Sequence, residues 1–293
     1  MNKMTSSQSD RGRQHHPDQI TDQVFWPALL QLGFVHLDQR TVMAKRSSRG
    51  PLRVLKPLYP EQDVCHVYIL HPPGGVAGGD EIVVEVDVGV KAHTLITTPA
   101  AGKFYRSAGL PAYQRQILNV AHDGVLEFMP QETLLFGSSN VKSRTEVRLE
   151  NGAHFIGMEL YGLGRPASGD YYENARFENT VSLIRDSQPL STERLLMEAD
   201  DQILYAPWGL GGKKVFGTLY ATPAREVDLE RLRKSLTEFD QKVWAVTCID
   251  DLLIVRYLGD RIEQGLQVLR KAWQDIRPIV VGKKACPPRI WNT

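Results

Sequence analysis

Glu81-Ile82-Val83-Val84-Glu85-Val86-Asp87-Val88 is the stretch that decides how this chain reads. Ile82, Val84, Val86 and Val88 share one face of an extended backbone. Glu81, Glu85 and Asp87 share the other, and Val83 alone breaks the pattern. Successive side chains of a strand point to opposite faces, so the alternation predicts a half-buried strand of the antiparallel kind. The same period recurs at 64–70, 93–98, 114–120, 141–149, 154–161, 176–184 and 215–221. Turn sequences such as AHDG, GSSN and LENG separate these runs. No helical pattern comes between them, which argues against βαβ units and a parallel sheet.

Helical spacing appears only near the C-terminus. In VDLERLRKSLTEF, Leu229, Leu232, Leu236 and Phe239 form a stripe, with Asp228 as the expected N-cap. In DRIEQGLQVLRKAWQDIRP, Ile262, Leu266, Leu269, Trp273 and Ile276 form another. Asp260 and Glu263 have capping-box spacing there, and Pro278 is expected just past the end. VWAVTCID and LLIVRYL read as a hairpin between the two helices. The expected fold is mainly β (α+β): a large, many-stranded antiparallel β body with two amphipathic C-terminal helices. Residues 1–23 read as a disordered leader and 24–293 as one domain.

Composition narrows the function. Thirty-five Lys and Arg nearly balance 34 Asp and Glu, for a net charge of +1, so the chain as a whole lacks the excess of positive charge that nucleic-acid binding requires. The three cysteines, Cys65, Cys248 and Cys286, form no CxxC pair and fit a reducing compartment. The N-terminal stretch has no apolar core of a signal peptide, and no apolar run approaches the roughly 20 residues that cross a bilayer. A cytoplasmic protein is expected.

The search for a catalyst gives little. HPPGGVAGGD, residues 71–80, has four glycines, but Gly74, Gly75, Gly78 and Gly79 do not make GxGxxG. In AAGKF, Phe104 follows Gly102-Lys103 where a phosphate loop needs Ser or Thr. A glycine turn that lets backbones approach closely explains the segment better. The acids are more informative: Asp80 ends the glycine turn, Glu132 follows MPQ, Glu159 sits inside FIGMELYGLG and Glu193 inside PLSTERLLM. A carboxylate on a buried strand face is costly unless it is paired, hydrated or metal-bound. Ion pairs with Arg144, Arg165 or Arg194 are the plain reading. Successive weak sites for a divalent cation in a wet passage are the sharper one. Cys65, His66 and His71 are further, weaker candidates for metal contact; His66 alternates with apolar neighbours and reads first as a structural histidine.

HPPGGVAGGD, TTPAAGKFYRS, MPQETLLF, LGRPASGD and the terminal PRIWNT, in that order, resemble the successive landmarks of the UreD (UreH) family of urease accessory proteins. The resemblance runs from about residue 33 to the end. Gly102 stands where a hydroxyl side chain also occurs in the family, so any side-chain role there is absent. The resemblance implies a β-rich body with two helices and no catalysis of its own. It implies a complex with UreF and the GTPase UreG on apo-urease, and transient passage of Ni²⁺ through a hydrated tunnel, with no permanently bound cofactor. It places Asp80, Glu159 and Glu193 among the polar tunnel positions. Two other readings compete. One is a purely structural adaptor that opens apo-urease without touching nickel. The other is a β-rich hydrolase using Glu132 and Glu159 as an acid–base pair.

Overall fold

The computed structural model describes residues 27–292. The proposed leader and the first residues of the proposed domain lie outside that span. Seventeen strands and two α-helices are found among the described residues. In chain order the strands are β1 (Pro27–Leu37), β2 (Arg40–Arg49), β3 (Arg53–Val54), β4 (Cys65–Leu70), β5 (Glu81–Val88), β6 (His93–Thr97), β7 (Gly102–Phe104), β8 (Ala112–Val120) and β9 (Val125–Met129). There follow β10 (Thr133–Leu135), β11 (Asn140–Leu149), β12 (His154–Leu163), β13 (Arg176–Arg185), β14 (Gln188–Glu198), β15 (Val215–Thr222), β16 (Trp244–Ile249) and β17 (Leu252–Gly259). The helices are α1 (Glu226–Ser235) and α2 (Ile262–Val280).

The strands form two stacked sheets. One runs β14-β13-β11-β8-β5-β1-β2; the other runs β16-β17-β15-β12-β9-β6-β4-β3, with β7 and β10 to its side. From β4 to β13 the chain alternates between the sheets, and each return lays down a strand parallel to the last. The pairs β1–β5, β5–β8, β8–β11 and β11–β13 are parallel, as are β4–β6, β6–β9 and β9–β12. This corrects the antiparallel expectation. A parallel pair needs a crossover, but the crossover need not be a helix. Here the strand in the opposite sheet supplies it. Among the described strands, antiparallel pairing is confined to the hairpins β1–β2, β13–β14 and β16–β17, to short β3 on β4, and to β15 between β12 and β17.

The period-two pattern survives because the outer face of the first sheet is wet. In β5, Ile82, Val84, Val86 and Val88 are buried and Asp87 is exposed. The inner faces meet in one core that includes Leu32, Val86, Leu118, Val147 and Phe177. A second core lies outside the other sheet, where α2 covers β12, β15 and β17. Gly265 lets it approach: a Cβ there would stand 2.9 Å from Leu160 and from the Tyr257 ring. Burying Leu269 and Ile276 there contributes roughly 1.5–3 kcal/mol each.

Both helix starts differ from expectation. The cap of α1 is Arg225, and Asp228 is its third residue; the Asp228 carboxylate accepts the Arg225 backbone N–H at 2.9 Å. The cap of α2 is Arg261, and α2 continues past Pro278 to Val280. No helix among the described residues is long and apolar enough to cross a membrane.

Candidate functional site

A cavity of about 330 Å³ opens between the sheets near the glycine turn. Most of its wall is apolar, from residues such as Ile69, Val84 and Phe128. His71, Gln114, Gln116 and Glu159 are among its polar groups. The glycines place one wall. A Cβ on Gly75 would come within 2.4 Å of the Tyr105 ring, and one on Gly78 within 2.3 Å of Ser107 Oγ. The HPPGG and KFYRS segments thus pack against each other, as close backbone approach requires.

Glu159 leaves β12 toward the interior. Thr145 donates to its Oε1 at 2.9 Å and Asn179 to its Oε2 at 3.0 Å, both from the facing sheet. The Tyr161 hydroxyl stands beside the same carboxyl. Burial pushes the Glu159 pKa above the usual carboxylate range despite these donors, and nearby Glu193 adds to the rise. A second void of about 10 Å³ adjoins Glu159; its wall is mainly apolar, from residues such as Leu118, Phe128, Val147 and Val181, with Gln116, Thr145, Glu159 and Tyr220 among them. That is close to the room one water requires. Asn179 Oδ1 is buried near Glu159 with no hydrogen-bond partner among the described residues, and a buried polar atom of that kind is ordinarily met by water.

The other predicted residues divide. Glu193, on edge strand β14, is tied to Arg256 of β17 by two bonds, 2.5 and 3.1 Å, across the gap between the sheets. Arg256 also bonds Thr218. Asp80 closes the glycine turn: its Oδ2 accepts the Ala77 N–H at 3.0 Å. It does not line the cavity, but its charge reaches His71, whose pKa burial lowers and Asp80 partly restores. His71 and Glu159 therefore share the cavity, with Asp80 behind His71 and Glu193 close enough to Glu159 for its charge to act there.

Glu132 stands apart. Its neighbours Gln131 and Thr133 line the cavity and Glu132 does not; it lies near the charge of Arg270. Glu132 and Glu159 thus do not share the cavity. Cys65 is fully buried, and burial pushes its thiol up to about 11, so it is not a ready thiolate. His66 Nε2 lies 2.8 Å from Glu61 Oε1 and faces a different cluster. Among the described residues, no three His, Cys, Asp or Glu side chains come together as a metal-holding group.

That different cluster escaped the sequence reading. Glu127 and Arg277 are both wholly buried. Arg277 Nε donates to both Glu127 oxygens at 2.9 and 3.0 Å, and its two terminal nitrogens donate to Glu61 at 2.8 Å each. Trp273 donates to Glu127 at 2.6 Å, and His93 Nε2 lies 2.8 Å from it. Burial alone would raise the Glu127 carboxyl. Its bond to His93 and the charge of Arg277 outweigh that and hold it at about 2. The cluster fastens α2 to the sheet. Trp291 extends the fastening, edge-on to Trp273 at 5.2 Å and donating to Thr97 Oγ1 at 2.9 Å. The available signal was an acid within the apolar run VLEFM, the same signal that marked Glu159.

Comparison with known proteins gives a consistent match. The family model described as UreD urease accessory protein matches residues 27–292. A protein of Alkalilimnicola ehrlichii named urease accessory protein UreD is 42% identical over 269 residues, covering 92% of each chain. A protein of the same name from Dechloromonas aromatica is 38% identical over 273 residues, covering 92% of this chain and 95% of that one. One from Alcanivorax borkumensis is 40% identical over 255 residues, covering 87% of this chain and 86% of that one.

Proposed function

Since this chain belongs to the UreD urease accessory protein family, we propose that it docks on apo-urease with UreF and UreG and passes Ni²⁺ toward the urease active site through the space between its sheets. It works as a scaffold and conduit in the cytoplasm and has no catalytic residues of its own. The observation that carries this reading is the placement of His71 and Glu159 on one cavity, with a smaller, mainly apolar void beyond Glu159.

The chemistry suits a carrier. A carboxyl whose pKa is raised by burial keeps its proton more readily, so an arriving cation competes with a proton for it. The His71 imidazole, kept neutral by burial, presents a nitrogen lone pair. Among the described residues neither joins two more metal-ligating side chains, and a short residence at each stop is what onward movement requires. Glu193 plays a different part. Arg256 already occupies both its oxygens, so the pair acts as a closure that must part before an ion leaves. Asp80 holds the turn and the local charge around His71.

The test is made in cells that produce urease with its accessory proteins. Glu159→Gln, His71→Ala, Asp80→Ala and Glu193→Ala are introduced singly and the first two together. Pull-down reports the complex, and metal analysis reports nickel per urease. The conduit reading expects an intact complex with lowered nickel, lowest in the double variant. Full nickel in every variant would leave the adaptor reading, in which the protein opens urease without touching the ion.

A further inference from the structure

One side of the sandwich carries an unusual run of charge. Between Asp38 and Glu61 the chain has six basic residues, Arg40, Lys45, Arg46, Arg49, Arg53 and Lys56, and no acid. The net charge of the whole chain is only +1. The run is not scattered in space, because β2 ends one sheet and β3 ends the other. Thr41 N–H donates to Asp63 O at 2.9 Å, which ties the start of β2 to the segment ahead of β4, the strand on which β3 pairs.

From Ala44 to Arg49, β2 is exposed on both faces. It is held by its ladder to β1, and among the described residues no strand lies along its other edge. Lys45, Arg46, Arg49 and Lys56 form no ion pair or side-chain hydrogen bond among the described residues. Arg40 lies over the Tyr59 ring at 5.1 Å, and Arg53 donates to the carbonyls of Gly50 and Leu52. Leu55 and Leu58 stand 44% and 45% exposed beside the charges.

An open strand edge is a template for another strand, and lysines and arginines on it deter pairing with a second copy. Two such edges face to face would bring cation against cation. The same charges favour an acidic strand. We propose that the β2–β3 edge is a docking site for an extended acidic segment of a partner protein, which adds to the first sheet as a strand. The free backbone groups of residues 44–49 supply its ladder, Lys45, Arg46 and Arg49 meet its carboxylates, and Leu55 and Leu58 take its apolar side chains. The unpaired backbone favours a peptide over RNA or anionic lipid, which need charge but no ladder. This inference needs only the isolated chain and stands apart from nickel transfer.

The test measures fluorescence anisotropy of a labelled peptide of alternating Glu and Val against the full-length protein. The proposal expects saturable binding that weakens about tenfold or more in K45Q/R46Q/R49Q, and further in K45E/R46E/R49E. Both variants alter exposed side chains, and circular dichroism confirms their fold. Backbone N-methylation of the peptide on alternate residues keeps its charge and removes its ladder donors, so it is expected to abolish the signal. No binding, equal binding of the N-methylated peptide, or tighter binding of poly-uridine RNA or phosphatidylserine vesicles would overturn the proposal.

Discussion

Replacing Glu127 with Gln removes the one charge that faces Arg277 from within the core. The side chain keeps its shape, and Arg277 keeps Glu61, so the effect isolates the charge of a wholly buried pair. Its magnitude follows in two ways. The carboxyl is held at about 2 against an ordinary 4.5, and at about 1.4 kcal/mol per pKa unit the gap corresponds to roughly 3 kcal/mol. Breaking a buried pair by removing one partner costs about 3–5 kcal/mol, since the other charge stays buried. A loss of about 3 kcal/mol is a large part of the stability of an ordinary domain. Because the folded pKa lies below the unfolded one, the stabilisation is complete above pH 4.5 and fades as pH falls toward 2. Urea unfolding followed by tryptophan fluorescence, repeated from neutral pH downward, tests both parts. The variant is expected to unfold at lower urea near neutrality and to converge on the parent in acid. A difference under about 1 kcal/mol at pH 7, or one that does not shrink in acid, refutes the reasoning.

Glu159→Gln is expected to act in the opposite direction. Its folded pKa is raised, so the native carboxyl costs stability increasingly as pH climbs above the unfolded value. The variant is therefore expected to gain on the parent at pH 8 relative to pH 4.5 in thermal melts. Gly75→Ala places a methyl 2.4 Å from the Tyr105 ring, and a cost of about 1–3 kcal/mol in urea unfolding is expected. Trp291→Ala removes the edge contact to Trp273, the stacking under Arg270 at 4.7 Å and the bond to Thr97. A loss of roughly 2 kcal/mol is expected, with faster hydrogen exchange in α2 read by mass spectrometry.

Most of the central strands were legible in position, though β1 and β9 were not among the expected runs, and the direction of the strands was not legible. Side-chain alternation is the same in parallel and antiparallel ladders, so EIVVEVDV marks a half-buried strand and leaves its neighbour's direction open. The missing helices were read as evidence against parallel pairing, and the exchange of strands between two sheets makes that inference fail. Strand β2 was missed because RTVMAKRSSR has little apolar alternation; its ladder to β1 holds it instead. Within the candidate site, Glu159 stood out as a lone acid in an apolar run. Glu127 in VLEFM gave the same signal and went unread. Arg277 gave none, because a basic residue near a helix C-terminus looks like a solvated partner of the helix dipole. Its partners lie 150 and 216 residues earlier in the chain. Asp80, by contrast, was legible as an end of the glycine turn, which is where its hydrogen bond to Ala77 puts it.

The clamp of Arg277 on Glu61 and Glu127 also bears on synthesis. A ribosome working from the N-terminus releases both acids long before it makes the base that neutralises them. Until α2 emerges, the nascent sandwich must keep two carboxylates hydrated at a site the finished protein seals, and so its last sheet face stays open to water. The final residues, down to Trp291, then close that face. Truncation by a few tens of residues at the C-terminus therefore removes far more than a tail: it leaves two stranded charges in the place where the rest of the chain expects an interior.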